Sequence, residues 1–455
     1  MSTFSRRRFL QSTALLGAGA LLSACGKEIV KETVIQEKVV TATTAPPTPK
    51  PVGVPLTMRV DPNPDLVAAA QAVAERYLEV DSSIEVNVTD EAQEGGWIAQ
   101  MAAGICPDMF RIAINEGPTY GIQDLIWEVT EAAEAAGLIE KFIPNVWDYF
   151  KFKGQVWSLP HDANTLLLWS NPRMFEDAGV LDVLPPKNWD DMIKVCEAVV
   201  KKDPDPGKAV FGYSFPVTIA WSGFFFWFWL WRFGGDFVDY DTNELLFNSP
   251  EGVEAIEKIK YLCDMGYTPN FDDWQTPFYQ GRSATEEYGS WGVFGDVAGP
   301  WNDYKATGRW EATYPRPEFV MSQQIELKPG VPNYSVYAGF SYSMPKEINK
   351  YPAESVKFLA YWLDSEEYLD QVLRTMHQIP VMDKPHPWLE HPALKPYVEQ
   401  LAICKPLSYN PAFLQVSDQC LTPKVIEAKL GKMDAAKALQ DAYDCGLPIM
   451  AEEGV

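Results

Sequence analysis

Apolar and polar positions along this chain fall into two registers, and the change between them marks out its first elements. Leu56, Met58 and Val60 alternate with Thr57 and Arg59, which predicts a short strand. Asp61-Pro62-Asn63-Pro64 follows as a turn able to cap a helix. From Asp65 to Val80 the period lengthens, and Leu66, Ala70, Val73 and Tyr77 fall close to one face of a helix. Ile84, Val86 and Val88 alternate again as a second strand. This β-α-β opening predicts an α/β protein with a mostly parallel sheet. A further helix over Trp97–Ala103 then turns at Gly104 into a third strand that ends near Ile114. Phe224–Trp231 is an unbroken apolar run closed by Arg232. It is far shorter than the roughly 20 residues needed to cross a bilayer, so it predicts a buried helix. Only Trp221 at the start of this stretch, with Trp231 near its end, is a candidate for a ligand cleft.

The front of the chain reads as an address. Ser5-Arg6-Arg7-Arg8-Phe9-Leu10-Gln11 carries the twin-arginine export signature, and the apolar stretch Ala14–Leu22 is too short for a membrane span. It ends in Leu22-Ser23-Ala24-Cys25, a lipobox in which Cys25 becomes the lipidated N-terminus. Residues 1–24 are therefore read as a signal peptide and 25–55 as the lipidated cysteine with a linker. The Thr/Pro-rich piece Thr41–Pro55 cannot pack a core. The expected location is outside the cytoplasm, tethered to the cell membrane by lipid, since two or more acyl chains hold firmly where one does not.

About 400 residues remain, enough for two lobes. A hydrophobic content of 47% with 13% aromatic suits a large core. The net charge is −24, and removing residues 1–24, which carry three arginines and no acids, makes it −27. Such a surface repels nucleic acid and anionic lipid and suits neutral or cationic ligands. Of seven cysteines, none forms a C-x-x-C, which leaves a zinc ribbon or thioredoxin-type site unsupported. Cys404, Cys420 and Cys445 lie near one another in sequence, and one pair among them is possible without the sequence saying which.

Further motifs then recur in order. Gly104-Ile105-Cys106-Pro107-Asp108-Met109 follows a helix, and Gly154-Gln155-Val156-Trp157-Ser158-Leu159-Pro160 follows as a hairpin. Ser170-Asn171-Pro172 runs on to Phe175-Glu176-Asp177-Ala178-Gly179, ahead of Pro185-Pro186-Lys187-Asn188-Trp189-Asp190-Asp191-Met192. Gly234-Gly235, Asn248-Ser249-Pro250-Glu251-Gly252, Gln280-Gly281-Arg282-Ser283-Ala284 and Gly289-Ser290-Trp291 complete the series. Taken in this order over roughly residues 56–446, the set resembles extracellular solute-binding protein family 1, the group that contains maltose- and other sugar-binding proteins. Thr285, Ser170 and Gln155 depart from the family's usual Met, Tyr and Lys, and Phe294–Val331 matches nothing in it.

The resemblance implies a two-lobed, type II periplasmic-binding-protein (Venus flytrap) α/β fold. Lobe 1 is expected over 56–160 and 340–380, and lobe 2 over 165–335 and 385–455. It also implies a monomeric, non-catalytic subunit of an ABC importer that captures a sugar and delivers it to the transmembrane permease subunits, with no cofactor. Sugars need polar side chains for their hydroxyls and aromatic faces for their CH surfaces, in loops beyond the carboxyl ends of strands. Asp162 and Asn164 follow Pro160 at the expected first crossing, where the family places a polar sugar ligand and a turn is the competing reading. Asn115 and Glu116 follow the third strand. Asp61 and Asn63 follow the first, where a turn and helix cap compete. Trp291 falls on a tryptophan that stacks on ligand in sugar-binding relatives, and Tyr337 and Gly339 lie in a later crossing.

Asp239-Tyr240-Asp241-Thr242-Asn243 invites a calcium loop, but Glu244 and Pro250 stand where an EF-hand needs Gly and Glu, so a turn between strands is expected. His161, His377, His386 and His391 lack metal-ligand spacing, and neither a P-loop nor G-x-S-x-G occurs. Two other functions fit parts of the pattern. One is a secreted glycoside hydrolase with Asp162 and Glu116 as its carboxylates. The other is the same fold holding a polyol, glycerol phosphate, polyamine or metal chelate.

Overall fold

A computed structural model describes residues 53–90, 96–144, 146–218, 221–239, 242–290, 319–374, 378–385, 389, 395–406 and 410–452. The signal peptide, Cys25, nearly all of the linker, Trp291, Tyr240, Asp241, His377, His386 and His391 lie outside these residues.

The opening unit is β1 (Val54–Arg59), α1 (Pro64–Val80) and β2 (Ile84–Thr89), with β1 and β2 parallel in register from Val54↔Ile84 to Arg59↔Thr89. Asn63 caps α1, its side-chain oxygen accepting from the Asp65 and Leu66 amides at 2.9 and 3.2 Å. The apolar face read from the sequence is the buried one, with Leu66, Ala70, Val73 and Tyr77 all in the core. Asp108 explains the Pro-Asp motif. Its carboxylate accepts from the Thr57 amide at 2.8 Å and the Thr57 hydroxyl at 2.7 Å, locking β1 beside the segment that enters β3 (Phe110–Ala113).

Two larger sheets follow. In the first, β4 (Leu159–Asn164) lies between β10 (Ile379–Pro380) and β9 (Ser335–Ser343), while β3 and β11 (Cys404–Pro406) also pair with β9. In the second the order is β6 (Phe211–Ser214), β7 (Ser283–Gly289), β5 (Leu166–Ser170) and β8 (Val320–Ser322). The chain leaves the first sheet for the second at Thr165, between β4 and β5, and returns between β8 and β9.

The sheets are mixed, which corrects the expectation of a mostly parallel one. Only β1/β2, β6/β7 and β9/β11 are parallel among the named ladders, whereas β3/β9, β4/β9, β4/β10, β5/β7 and β5/β8 are antiparallel. Strand β9, laid down after the chain has built most of the second sheet, runs against both β3 and β4.

Helix α2 (Trp189–Val199), capped by Asn188, packs on the second sheet. Helix α3 (Trp221–Arg232) carries the aromatic run into the core. Trp227, Trp229 and Trp231 are sealed from solvent, and Trp227 stacks on Phe237 at 4.0 Å. Trp231 is therefore a core residue, its indole donating to Asp236 at 2.8 Å. Arg232 ends the helix in a buried ion pair, 2.7 Å from Glu287 of β7. Helices α4 (Pro250–Met265) and α7 (Thr422–Lys429) pack on α3, and α8 (Ala435–Glu452) packs on α4 and α7, while α5 (Pro352–Leu363) and α6 (Glu366–Arg374) pack on α1. Cys420 and Cys445 form a disulfide between the π-helical turn Val416–Leu421 and α8, and Cys404 is free and buried. On either side of Tyr240 and Asp241, Val238 and Leu245 pair antiparallel and the Asn243 amide donates to the Asp239 carbonyl at 2.8 Å.

Candidate functional site

The two sheets meet at Thr165, and its neighbours fix the crossing. Its hydroxyl donates to the Ser335 hydroxyl at 2.9 Å, Ser335 donates to the Leu166 carbonyl at 3.0 Å, and Cys404 lies 3.0 Å from Thr165 Oγ1. Three segments distant in sequence, at Thr165, Ser335 and Cys404, are thus held at one point.

Beside it lies a charged cluster centred on Arg111 of β3. Its Nη2 is 2.7 Å from Asp162 Oδ2, its Nη1 pairs with the Asp61 carboxylate, and the Phe340 ring lies 3.7 Å from the guanidinium carbon. Asp162 is sealed from solvent, on a strand whose register shifts between Pro160 and Asp162. Burial pushes its carboxyl pKa up, but the Arg111 charge and the His161 hydrogen bond outweigh this and hold it below the usual range. His161 is itself buried, which lowers its imidazole pKa and keeps it neutral, so Nδ1–H donates to Asp162 Oδ2 at 2.7 Å. The Tyr342 and Tyr368 rings stand edge-on to it at 5.0 and 5.3 Å.

Three polar atoms of these residues have no hydrogen-bond partner among the described residues: Arg111 Nε, Asp162 Oδ1 and the Tyr337 hydroxyl. Burial, then the charge of Asp162, raises the Tyr337 phenol pKa well above its ordinary value. The Tyr149 ring lies 4.8 Å from that of Tyr337. Gly339 packs backbone to backbone against the Asp162 carbonyl, where a side chain would collide. Asn164 is buried at the end of β4, next to the crossing.

Of the residues singled out from sequence, Asp61 and Asp162 thus pair with Arg111, Gly339 packs on the Asp162 backbone, Tyr337 feels the Asp162 charge, and Asn164 lies at the same strand end. Asn63 and Glu116 have local work. Asn63 caps α1, while Glu116 accepts from the Ala113 amide and the Tyr120 hydroxyl, both at 2.8 Å. Asn115 leads into the short helix Glu116–Ile122 without a side-chain cap bond. Trp221 opens α3, but its side chain is outside the described set. Arg111 and the partnership of His161 with Asp162 escaped the sequence reading. Their signal was a charge embedded in the apolar stretch Phe110-Arg111-Ile112-Ala113-Ile114, which requires a buried counter-charge.

Among the described residues no group of three or more His, Cys, Asp or Glu side chains is placed to hold a metal ion, and no helix is long and apolar enough to cross a membrane.

Comparison with known proteins extends the picture. The profile of a family described as bacterial extracellular solute-binding protein matches residues 68–395. A maltotriose-binding protein of Pyrococcus abyssi is 23% identical over 236 residues, 50% of this chain and 48% of the relative. The sn-glycerol-3-phosphate-binding periplasmic protein UgpB of Escherichia coli is 26% identical over 200 residues, 41% and 44% of the two chains. The chain thus spans about half the length of the curated relatives it matches. Among solved structures, the cyclic alpha-maltosyl-1,6-maltose binding protein of Arthrobacter globiformis superposes with a TM-score of 0.69 at 20% identity. That match covers 88% of this chain and all of that one. UgpB of Mycobacterium tuberculosis, in complex with glycerophosphocholine, gives 0.68 at 16% identity, covering 89% of this chain and 100% of that one. The fold is the two-lobed α/β fold of maltose-binding-protein-like solute-binding proteins.

Proposed function

Because this chain belongs to the bacterial extracellular solute-binding protein family, we propose that it captures an uncharged sugar or oligosaccharide between its lobes and hands it to the permease of an ABC importer. Its relatives divide between a sugar and a glycerol phosphate, and the observation that separates the two is the charge around Arg111. Two carboxylates, Asp61 and Asp162, already neutralise that guanidinium, and Lys405 nearby is paired with Asp236 at 2.8 Å. A phosphate entering here would meet net negative charge. A sugar hydroxyl would instead find an acceptor in Asp162 Oδ1 and a donor in Tyr337.

Binding without turnover is part of the proposal. A glycoside hydrolase needs a carboxylic acid with a raised pKa to protonate the leaving oxygen. Asp162 is held low, and both Glu116 oxygens are bonded within their own segment. The twin-arginine signal, lipidation at Cys25 and the flexible linker complete the proposal by placing the lobes outside the cytoplasm on a tether, as a monomer. Asn115, Asn164, Trp221, Trp291 and Gly339 remain proposed contributors to the cleft.

A thermal-shift panel tests this reading. Uncharged mono- and oligosaccharides should raise the melting temperature in a concentration-dependent way. Stabilisation by sn-glycerol 3-phosphate alone would reverse the choice.

A further inference from the structure

A cavity of about 250 Å³ lies between α2 and α4, and none of the residues proposed for the interlobe cleft lines it. From α2 it is lined by Trp189, Asp190, Lys194 and Glu197, and from α4 by Lys258 and Tyr261. The Trp189 and Tyr261 rings sit 6.2 Å apart with their planes inclined by 52°, an open wedge, and Tyr261 is 38% exposed. The Lys258 ammonium is 4.6 Å from the Trp189 ring centre.

The mixture of charges narrows what the wedge can take. A cation would meet Lys194 and Lys258, and an anion would meet Asp190 and Glu197. An apolar segment would strip water from Asp190, Glu197 and Lys258 without pairing them, and from Lys194, whose ammonium is paired with Asp182. A neutral polyhydroxyl ligand avoids each of these costs, since carboxylates accept from its hydroxyls, ammonium groups donate to them, and the rings cover its CH face. The cavity is smaller than the roughly 300–1,000 Å³ of sites for drug-sized ligands, a size for one sugar ring.

We propose that this wedge is a second carbohydrate site, on the α2/α4 face, that holds a single pyranose residue of a neutral glycan.

The test uses the full chain labelled with 5-fluorotryptophan, with the Trp189 resonance assigned by its loss in Trp189→Phe. Maltose, cellobiose and N-acetylchitobiose are titrated separately, with choline and acetate as cationic and anionic controls. The Trp189 ring also touches Trp229 of the core, 6.4 Å away, so Tyr261→Ala separates the two sites: a shift that originates in the interlobe cleft survives this variant, and the test stands or falls apart from that reading. The proposal predicts a saturable shift of the Trp189 resonance with at least one sugar. Tyr261→Ala should weaken it about tenfold or more while circular dichroism and melting temperature stay as in the parent. A Trp189 resonance that no sugar moves saturably, or that choline or acetate moves instead, overturns it. So does a sugar response that Tyr261→Ala leaves intact.

Discussion

Arg111 and Asp162 form a 2.7 Å ion pair in which the arginine side chain is 10% exposed and the aspartate is sealed from solvent. A buried charge that loses its partner costs far more than the pair contributes when whole. Arg111→Met should therefore cost about 3–5 kcal/mol of folding stability, read by urea denaturation at neutral pH. An unchanged midpoint would mean that Asp162 is not ionised in the folded protein.

The same cluster sets a pH dependence. His161 is neutral in the folded state with its pKa below the ordinary 6.5, so the unfolded chain binds the proton first as pH falls. Stability should decline on acidification from about pH 6.5 down to the folded value. Asp162, whose pKa is also lowered, keeps its contribution until the pH passes below the ordinary carboxylate range, and loses it as pH falls through the folded pKa. His161→Gln should flatten the first stage and leave the second. Unfolding free energies across this range in parent and variant check both parts.

Lys429 of α7 is buried, with no carboxylate partner among the described residues. Its Nζ donates to the Ser222 carbonyl and hydroxyl, both at 3.0 Å, and burial lowers its pKa to about 7. Two acceptors match the two hydrogens of a neutral amine. The unfolded chain holds its proton up to the ordinary lysine value, so this group's penalty is absent above that value and grows as pH falls towards 7. Stability should thus rise between about pH 7 and pH 10. Lys429→Met should stabilise the protein at pH 7 by an amount on the order of a few kcal/mol, less the loss of the two Ser222 bonds. A lower melting temperature in the variant would show that the bonds outweigh the burial of the amine.

Cys420 and Cys445 are 25 residues apart. Cross-linking a loop of that length restricts the unfolded chain by about 3–4 kcal/mol. Cys420→Ala with Cys445→Ala should lower the melting temperature accordingly, and reductant should reproduce the loss in the parent. No effect from either would mean that the bond does not form in the purified protein.

Cys25→Ala should leave the protein in the soluble fraction after cell lysis, whereas the parent sediments with membranes through a salt wash. A variant that still sediments would remove the lipoprotein assignment.

Local elements were legible because their signals are local. The face of α1, the cap at Asn63 and the turn after Val238 depend on residues a few positions apart. The aromatic run declared a buried helix by composition alone. The candidate site was legible only in part. Asp61 and Asp162 stand out as acids beside strand ends, but Arg111, which binds them together, lies about 50 residues from each, and no short-range pattern records that meeting. Glu116 and Asn63 show the converse, in that polar residues at a strand end serve the backbone as readily as a ligand. The mixed sheet was missed for the same reason, since β9 comes back to β3 and β4 from more than 170 residues further on. The disulfide partner of Cys445 was fixed by α8 packing on the turn that carries Cys420, a tertiary choice that spacing left open.

The central claim is capture of an uncharged sugar without chemistry, and one measurement reaches it most directly. Isothermal titration of the purified protein with maltotriose and other neutral oligosaccharides, set beside sn-glycerol 3-phosphate, reports affinity and stoichiometry together, and chromatography of the recovered ligand reports turnover. With the α2/α4 wedge silenced by Tyr261→Ala, the account predicts saturable one-to-one binding of at least one neutral sugar at the interlobe cleft, recovered intact, with no heat from the phosphate. Saturable binding of the phosphate with none of any neutral sugar, or recovery of a cleaved oligosaccharide, would contradict it.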